Sequence, residues 1–170
     1  MHLPYKRFIP AVCAAAAVLA LLPRSAGAEH FEILLRVQAA DSQADAFMDT
    51  TPPIGGMNHR PVVKAKAGET IRVSWRMKSA YPHGTMKDVG VHFFVVREDQ
   101  VGQKPVPDPA GAAGIVDNSF AMDFSPDSVA TGALRFKITE PGNYLVRLQS
   151  ENTHQEHGHE HFSAIDLVVG

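Results

Sequence analysis

The sequence predicts an all-β protein, an antiparallel Greek-key β-sandwich. Apolar and polar side chains alternate between residues 70 and 78, as they do in a strand with one buried face. Glycine and proline at 67–69 and 140–143 supply turn chemistry between such segments. Short strand-like segments recur at regular spacing with few helix signals, and that spacing favours a sandwich.

Eight segments carry a strand pattern. One of them, Val89–Arg97, is apolar on both faces, which predicts a strand inside a sheet. The connectors 41–60 and 99–118 contain prolines and glycines, so we expect ordered surface loops there, with room for a short helix around Ser42–Met48. The predicted strands are His30–Ala39, Pro61–Lys66, Thr70–Lys78, Val89–Arg97, Ser119–Phe124, Ala130–Thr139, Asn143–Ser150 and His161–Val169.

Residues 1–28 have the pattern of a cleavable secretory signal. Lys6 and Arg7 precede an apolar run, and Ala26 and Ala28 form the small-residue pattern that signal peptidase requires. The apolar run is shorter than the roughly 20 residues that cross a bilayer core, which argues against a membrane anchor. We therefore expect one domain over residues 29–170, exported to the periplasm or the extracellular space, with no membrane span after the signal.

Charge and cysteine usage exclude several functions. The chain has a formal net charge of −2, and loss of Lys6, Arg7 and Arg24 with the signal makes the remainder more acidic. An acidic chain argues against nucleic acid or an anionic lipid surface as the partner. Cys13 is the only cysteine and lies in the signal. The exported chain therefore has neither disulfides nor thiolate chemistry.

Four histidines cluster near the C-terminus and suggest a metal site. They are His154, His157, His159 and His161. In an extended segment the last three would share one face, with neighbours about 7 Å apart. Neutral imidazole is a common ligand of copper and zinc. Short histidine-rich tracts also occur as solvated loops without a structured site, and that interpretation stays open.

The remaining histidines of the exported chain are scattered. His83 lies in a loop after the tryptophan-bearing segment. His92 lies in the middle of a strand, where a hydrogen-bonded structural role is favoured over ligation. His59 and His30 stay open; His30 would chelate through its own amine only after loss of Glu29.

The sequence shows no recognisable set of catalytic residues. The sequence contains neither a G-x-S-x-G elbow nor an H-E-x-x-H motif, and the expected mature chain has no cysteine nucleophile. We therefore assign no catalytic residue, and an enzyme is the less favoured class.

Two stretches resemble the cupredoxin-like family of β-sandwiches. Val63–Trp75 (VKAKAGETIRVSW), followed by Pro82 and His83, is similar to the strand pair after which a Pro-His pair provides the family's first ligand. Glu140–Val146 (EPGNYLV), the histidine-bearing loop and the closing strand resemble the family's tyrosine strand, ligand loop and last strand. The resemblance implies a metal site that includes His83 and the 154–161 loop.

The resemblance is incomplete at the cysteine ligand. That cysteine would lie near Leu148, and a blue-copper site requires it. A redox-silent Cu(II) or Zn(II) site is the form that remains. The same two stretches also resemble immunoglobulin-like and fibronectin-like sandwiches, in which the tyrosine makes a corner contact.

Two hypotheses follow. The first is an exported copper or zinc carrier, buffer or sensor whose ligands are His83, His154, His157, His159 and His161. The second is an immunoglobulin-like adhesion or accessory module that binds another exported protein and has no specific metal.

Overall fold

A computed structural model describes residues 30–48, 60–103, 107, 109, 114–151 and 161–170. Within these ranges the chain forms nine β-strands, and no helix there is long and apolar enough to cross a membrane. The predicted all-β fold is confirmed, whereas the predicted signal at 1–28 lies outside the described residues. The strands are β1 (Phe31–Gln38), β2 (Gln43–Met48), β3 (Val62–Ala65), β4 (Thr70–Ser79), β5 (Met86–Glu98), β6 (Val116–Phe124), β7 (Val129–Lys137), β8 (Gly142–Glu151) and β9 (His161–Val169).

The strands form two sheets that pack as a sandwich. Sheet A has the order β2-β1-β4-β7, and sheet B has the order β3-β9-β8-β5-β6. All neighbouring strands are antiparallel except β3 and β9, which are parallel. The predicted antiparallel sandwich therefore includes one parallel pair, at β3. This strand leads through a tight turn at 66–69 into β4 of the other sheet, so β4 sets its direction.

The core lies between the two sheets and follows the predicted alternation. In β1 the inward side chains Phe31, Ile33 and Leu35 are completely buried, while Arg36 and Gln38 face solvent. The same period of two buries one face of β4 against sheet B. The largest buried side chains that the other strands add to this inter-sheet core are Ile71, Met77, Met86, Phe124, Tyr144, Leu148 and Ile165.

The outer face of sheet B is also buried along parts of β5, β8 and β9, which explains why β5 is apolar on both faces. A second, smaller cluster lies there and consists of Phe94, Val96, Leu145 and Ala164 with Phe162 packed against it. The connection between β5 and β6 is tied to this face, since the backbone N–H of Gly102 donates to Asp166. The prediction that Val89–Arg97 is an interior strand is confirmed, because β5 lies between β8 and β6.

Tyr144 of β8 makes a corner contact with the turn that precedes it. Its ring is buried, and its hydroxyl donates to the carbonyl oxygen of Glu140 at 2.8 Å. A tyrosine corner of this kind recurs in immunoglobulin-like sandwiches. The contact ties the start of β8 to the chain that arrives from β7.

β2 corrects the expectation of a loop or short helix over Ser42–Met48. Alanine, glutamine and methionine have high intrinsic helix propensity, and the half-buried residues Ala44 and Ala46 give only a weak alternation. Pairing with β1 decides the outcome, supported by a double hydrogen bond in which Arg36 donates to Asp45. Pairing between strands thus overrides local preference.

An arginine between two buried carboxylates fastens the chain just before β3 to sheet B. Arg60 contacts Glu98 at 2.8 Å and Asp166 at 2.7 Å. Burial raises the pKa of Glu98 to about 7; the Arg60 charge opposes this rise and the Asp166 charge adds to it. Burial also raises the pKa of Asp166. Arg60 is thus paired with two carboxylates at once, and ionisation of both Glu98 and Asp166 is energetically unfavourable.

The Glu98 carboxyl makes stability depend on pH. Its pKa is higher in the folded state than its ordinary value of 4.5, so its contribution is fully present below that value and is lost as the pH rises to about 7. We expect wild-type protein to lose on the order of 3 kcal/mol of unfolding free energy across this window from Glu98. Glu98→Gln should flatten the profile in urea titrations followed by the fluorescence of Trp75, the only tryptophan.

Glu140→Gln is the matched control, because Glu140 is an exposed carboxylate paired with Arg97. It should keep the wild-type profile. A Glu98→Gln protein with the same loss of stability between these pH values as wild type would contradict the assignment.

Candidate functional site

Four aromatic side chains gather at one end of the sandwich, where β1 and β9 begin and β4 and β8 end. The strand registers place them there: Phe31 pairs with Ser79 across sheet A, and His161 pairs with Ser150 across sheet B. We call this group the histidine end. Its members are His30, Tyr81, His83 and His161.

His30 and His161 form the buried part of the histidine end. Both are almost completely buried, at 4% and 3% exposure, and their ring centroids lie 5.7 Å apart. The backbone N–H of His30 donates to Nε2 of His161 at 3.3 Å. Ser150 fixes the other side of His161, since its hydroxyl accepts the His161 backbone N–H. Two imidazoles from opposite sheets are therefore held side by side.

Tyr81 and His83 extend this pair toward solvent. The Tyr81 ring meets His30 edge-on at 5.2 Å between centroids, and His83 meets Tyr81 edge-on at 5.5 Å. The backbone N–H of Ala80 donates to the carbonyl oxygen of His30, which fixes where the loop leaves β4. The four rings make a row from buried His161 to exposed His83.

The predicted ligands fall into two groups. His83 and His161 lie at the same end of the sandwich, separated along the row by Tyr81 and His30. His154, His157 and His159 lie outside the described residues. In the described ranges, no three or more histidine, cysteine, aspartate or glutamate side chains are grouped closely enough to hold a metal ion. Further donors would have to come from residues outside those ranges.

Sequence reasoning left the position of His30 open. Its only considered role was chelation through a free amine, which depends on where the signal is cleaved. The strand arrangement explains the contact between His30 and His161. His30 immediately precedes β1, and β1 packs against β9, which starts at His161. Because the inter-sheet packing of β1 and β9 was not readable from spacing, the contact between the two histidines was missed.

His92 lies apart from the histidine end, on the outer face of sheet B. Its Nδ1 is 3.0 Å from a carboxylate oxygen of Glu151, and its Nε2 is 2.7 Å from one of Asp117. Both ring nitrogens can donate at once only in the imidazolium form. The expectation of a hydrogen-bonded structural role for His92 is thus consistent with its contacts. His59 lies outside the described residues.

Comparisons with known proteins leave the family unassigned. No family model and no curated sequence matches the chain. Among solved structures, the chain is similar to the CARDB domain of PF1109 from Pyrococcus furiosus, with 8% identity, a TM-score of 0.46, and coverage of 83% of this chain and 96% of that one.

Two other solved structures have similarly weak likeness. The soluble domain of PmoD from Methylocystis sp. has 13% identity and a TM-score of 0.41, covering 81% of this chain and 90% of that one. The catalytic domain of LPMO Lmo2467 from Listeria monocytogenes has 16% identity and a TM-score of 0.38, covering 64% and 59%. At these values none of the three assigns a function.

The His30–His161 contact predicts the tautomer of His161. Because Nε2 accepts a backbone N–H, the neutral ring must carry its proton on Nδ1. Long-range ¹H–¹⁵N NMR correlation spectra at pH 8 should therefore show an unprotonated Nε2 for His161. Exposed His83 serves as the internal control and should show no fixed tautomer. A spectrum with the proton of His161 on Nε2 would contradict the geometry.

Proposed function

We propose that this protein is an exported copper- or zinc-binding protein that carries, buffers or senses the metal. The proposed ligands are His83 and His161 of the histidine end, together with His154, His157 and His159. The observation that supports the proposal best is the buried contact between His30 and His161. It holds the His161 ring at the point where the histidine-rich segment joins β9, and coordination of a metal by this ring would have to displace its hydrogen bond from the His30 backbone N–H.

Chain connectivity limits how far the other proposed ligands can lie from the described ends of β8 and β9. Glu151 and His161 bound the segment, and Ser150 pairs with His161 across β8 and β9. A chain spans at most about 3.6 Å per residue. The two-residue step from His161 to His159 therefore covers no more than about 7 Å, and the three-residue step from Glu151 to His154 about 11 Å.

The donor chemistry favours a metal ion that does not change redox state. Imidazole nitrogen suits Zn(II) and Cu(II), and ligand distances of about 2 Å require three or four rings to converge. Cys13 is the only cysteine of the chain. A thiolate-based blue-copper centre is therefore outside this proposal, and storage, delivery or sensing of the ion fits better than fast electron transfer.

Isothermal titration calorimetry tests the proposal with ZnCl₂ and, separately, with CuSO₄. The variant His154→Ala/His157→Ala/His159→Ala leaves every described strand unchanged, so we expect it to fold. Loss of three ligands should weaken binding by about 100-fold or more. His83→Ala alone, in an exposed loop, should weaken it by about tenfold.

His92→Gln is the matched control, because it removes an imidazole that is not a proposed ligand and that Asp117 and Glu151 hold by hydrogen bonds. Its affinity should equal that of wild type. Wild-type affinity in the triple variant would refute the proposed site.

The second candidate is an immunoglobulin-like adhesion or accessory module. The Tyr144 corner favours it, since this contact recurs in that class of sandwich. It expects an exported protein partner and no stoichiometric metal. Calorimetry distinguishes the two functions, because a module of this kind would give no saturable heat with either ion.

A further inference from the structure

Three arginines, Arg36, Arg72 and Arg135, line a shallow groove on the outer face of sheet A, and a fourth, Arg76, lies farther along β4. Arg72 and Arg76 alternate along β4 with buried residues, Arg135 lies on β7 and Arg36 lies on β1. Arg72 and Arg135 are directly opposite each other in the β4–β7 register, and Arg36 is opposite Ser74 in the β1–β4 register. We call these four residues the arginine cluster.

The pairing of Arg72 with Arg135 is electrostatically unfavourable. Directly opposed side chains in an antiparallel pair have Cβ atoms about 5 Å apart, and like charges at that distance destabilise the sheet. Arg36 is already engaged by Asp45 in two hydrogen bonds of 2.6 Å. Among the described residues, Arg72, Arg76 and Arg135 form no ion pair. The cluster thus concentrates positive charge with one neighbouring carboxylate.

Small side chains make the surface concave between these arginines. Ser74 and Ala133 are directly opposite each other and form a low floor. The groove has a volume of about 530 Å³, within the range of small-molecule sites. Its lining contains no aromatic ring, and its charged groups are the three guanidinium groups. The lining residues are Arg36, Gln38, Arg72, Val73, Ser74, Ala133, Leu134 and Arg135.

The overall composition of the chain does not explain why arginines are concentrated on the outer face of sheet A. The chain has a net charge of −2, so clustered cations on one sheet are a local feature. Arginine guanidinium groups bind oxyanions through paired N–H donors in a planar fork. An anion between Arg72 and Arg135 would turn their repulsion into two attractive contacts.

We propose that the arginine cluster is a binding site for a ligand that carries more than one oxyanion group, of the phosphate, sulfate or carboxylate type. Arg72 and Arg135 bind one such group from adjacent strands, and the hydroxyl of Ser74 can donate to it from the floor. The groove is larger than a single phosphate needs, so a second anionic group reaches Arg36. The site lies on sheet A and does not depend on the metal site proposed above.

Calorimetry with sodium pyrophosphate tests the site, with sodium chloride of equal ionic strength as the reference. We expect saturable binding to the wild-type protein and a higher melting temperature with pyrophosphate than with chloride. Arg72→Gln and Arg135→Gln should each weaken binding by about tenfold or more. Arg97→Gln is the matched control, since Arg97 is an exposed arginine paired with Glu140, and should bind as wild type does.

A second measurement separates the site from a merely structural patch. Without pyrophosphate and at low ionic strength, Arg72→Gln and Arg135→Gln should melt at or above the wild-type temperature, because each relieves the like-charge pair. Variants that melt below wild type and bind pyrophosphate with wild-type affinity would overturn the proposal.

The source of the anion is distinguished with phosphatidylglycerol vesicles. Pyrophosphate binding without vesicle binding identifies a free small polyanion. Vesicle binding that Arg72→Gln abolishes identifies a lipid headgroup, and either result supports the oxyanion site. Absence of binding to both probes overturns it.

Discussion

The antiparallel pairing of β8 with β9 is the constraint on which the rest of the structure depends. Its register sets Ser150 opposite His161 and Leu148 opposite Ser163. β8 also pairs with β5, so the same strand carries the interior of sheet B. A slip of one residue would turn Leu148 out of the core and move His161 away from His30. The hydrophobic pattern of β8 and β9 therefore positions the histidine end.

Much of the fold is readable from local pattern because burial imposes a period of two. β1 and β4 follow it, and the predicted bounds of β1, β4 and β9 lie close to the observed ones. β2 was not predicted because its inward positions are alanines and its residues favour helix locally. The direction of β3 was not predicted either, since the passage of the chain from one sheet to the other determines it.

The candidate metal site could be predicted only where its residues lie close together in the sequence or in a recognisable motif. The histidine-rich segment is visible as composition, and His83 is visible through a family resemblance. The contact of His30 with His161 joins residues that are 131 positions apart, so only tertiary packing could reveal it. The Arg72–Arg135 pair was missed for the same reason, because net charge reports the sum of the charges and not which strands lie side by side.

The two sheets differ in where their charged side chains lie. Sheet B buries two of its carboxylates, Glu98 and Asp166, and both contact Arg60. On sheet A, Arg72 and Arg135 are exposed and lie directly opposite each other.

The most direct test of the central claim, that this protein binds copper or zinc, is the metal content of the protein. Elemental analysis of untagged protein purified from its native host should find stoichiometric copper or zinc, whereas protein that contains neither metal and cannot be loaded with either would contradict it.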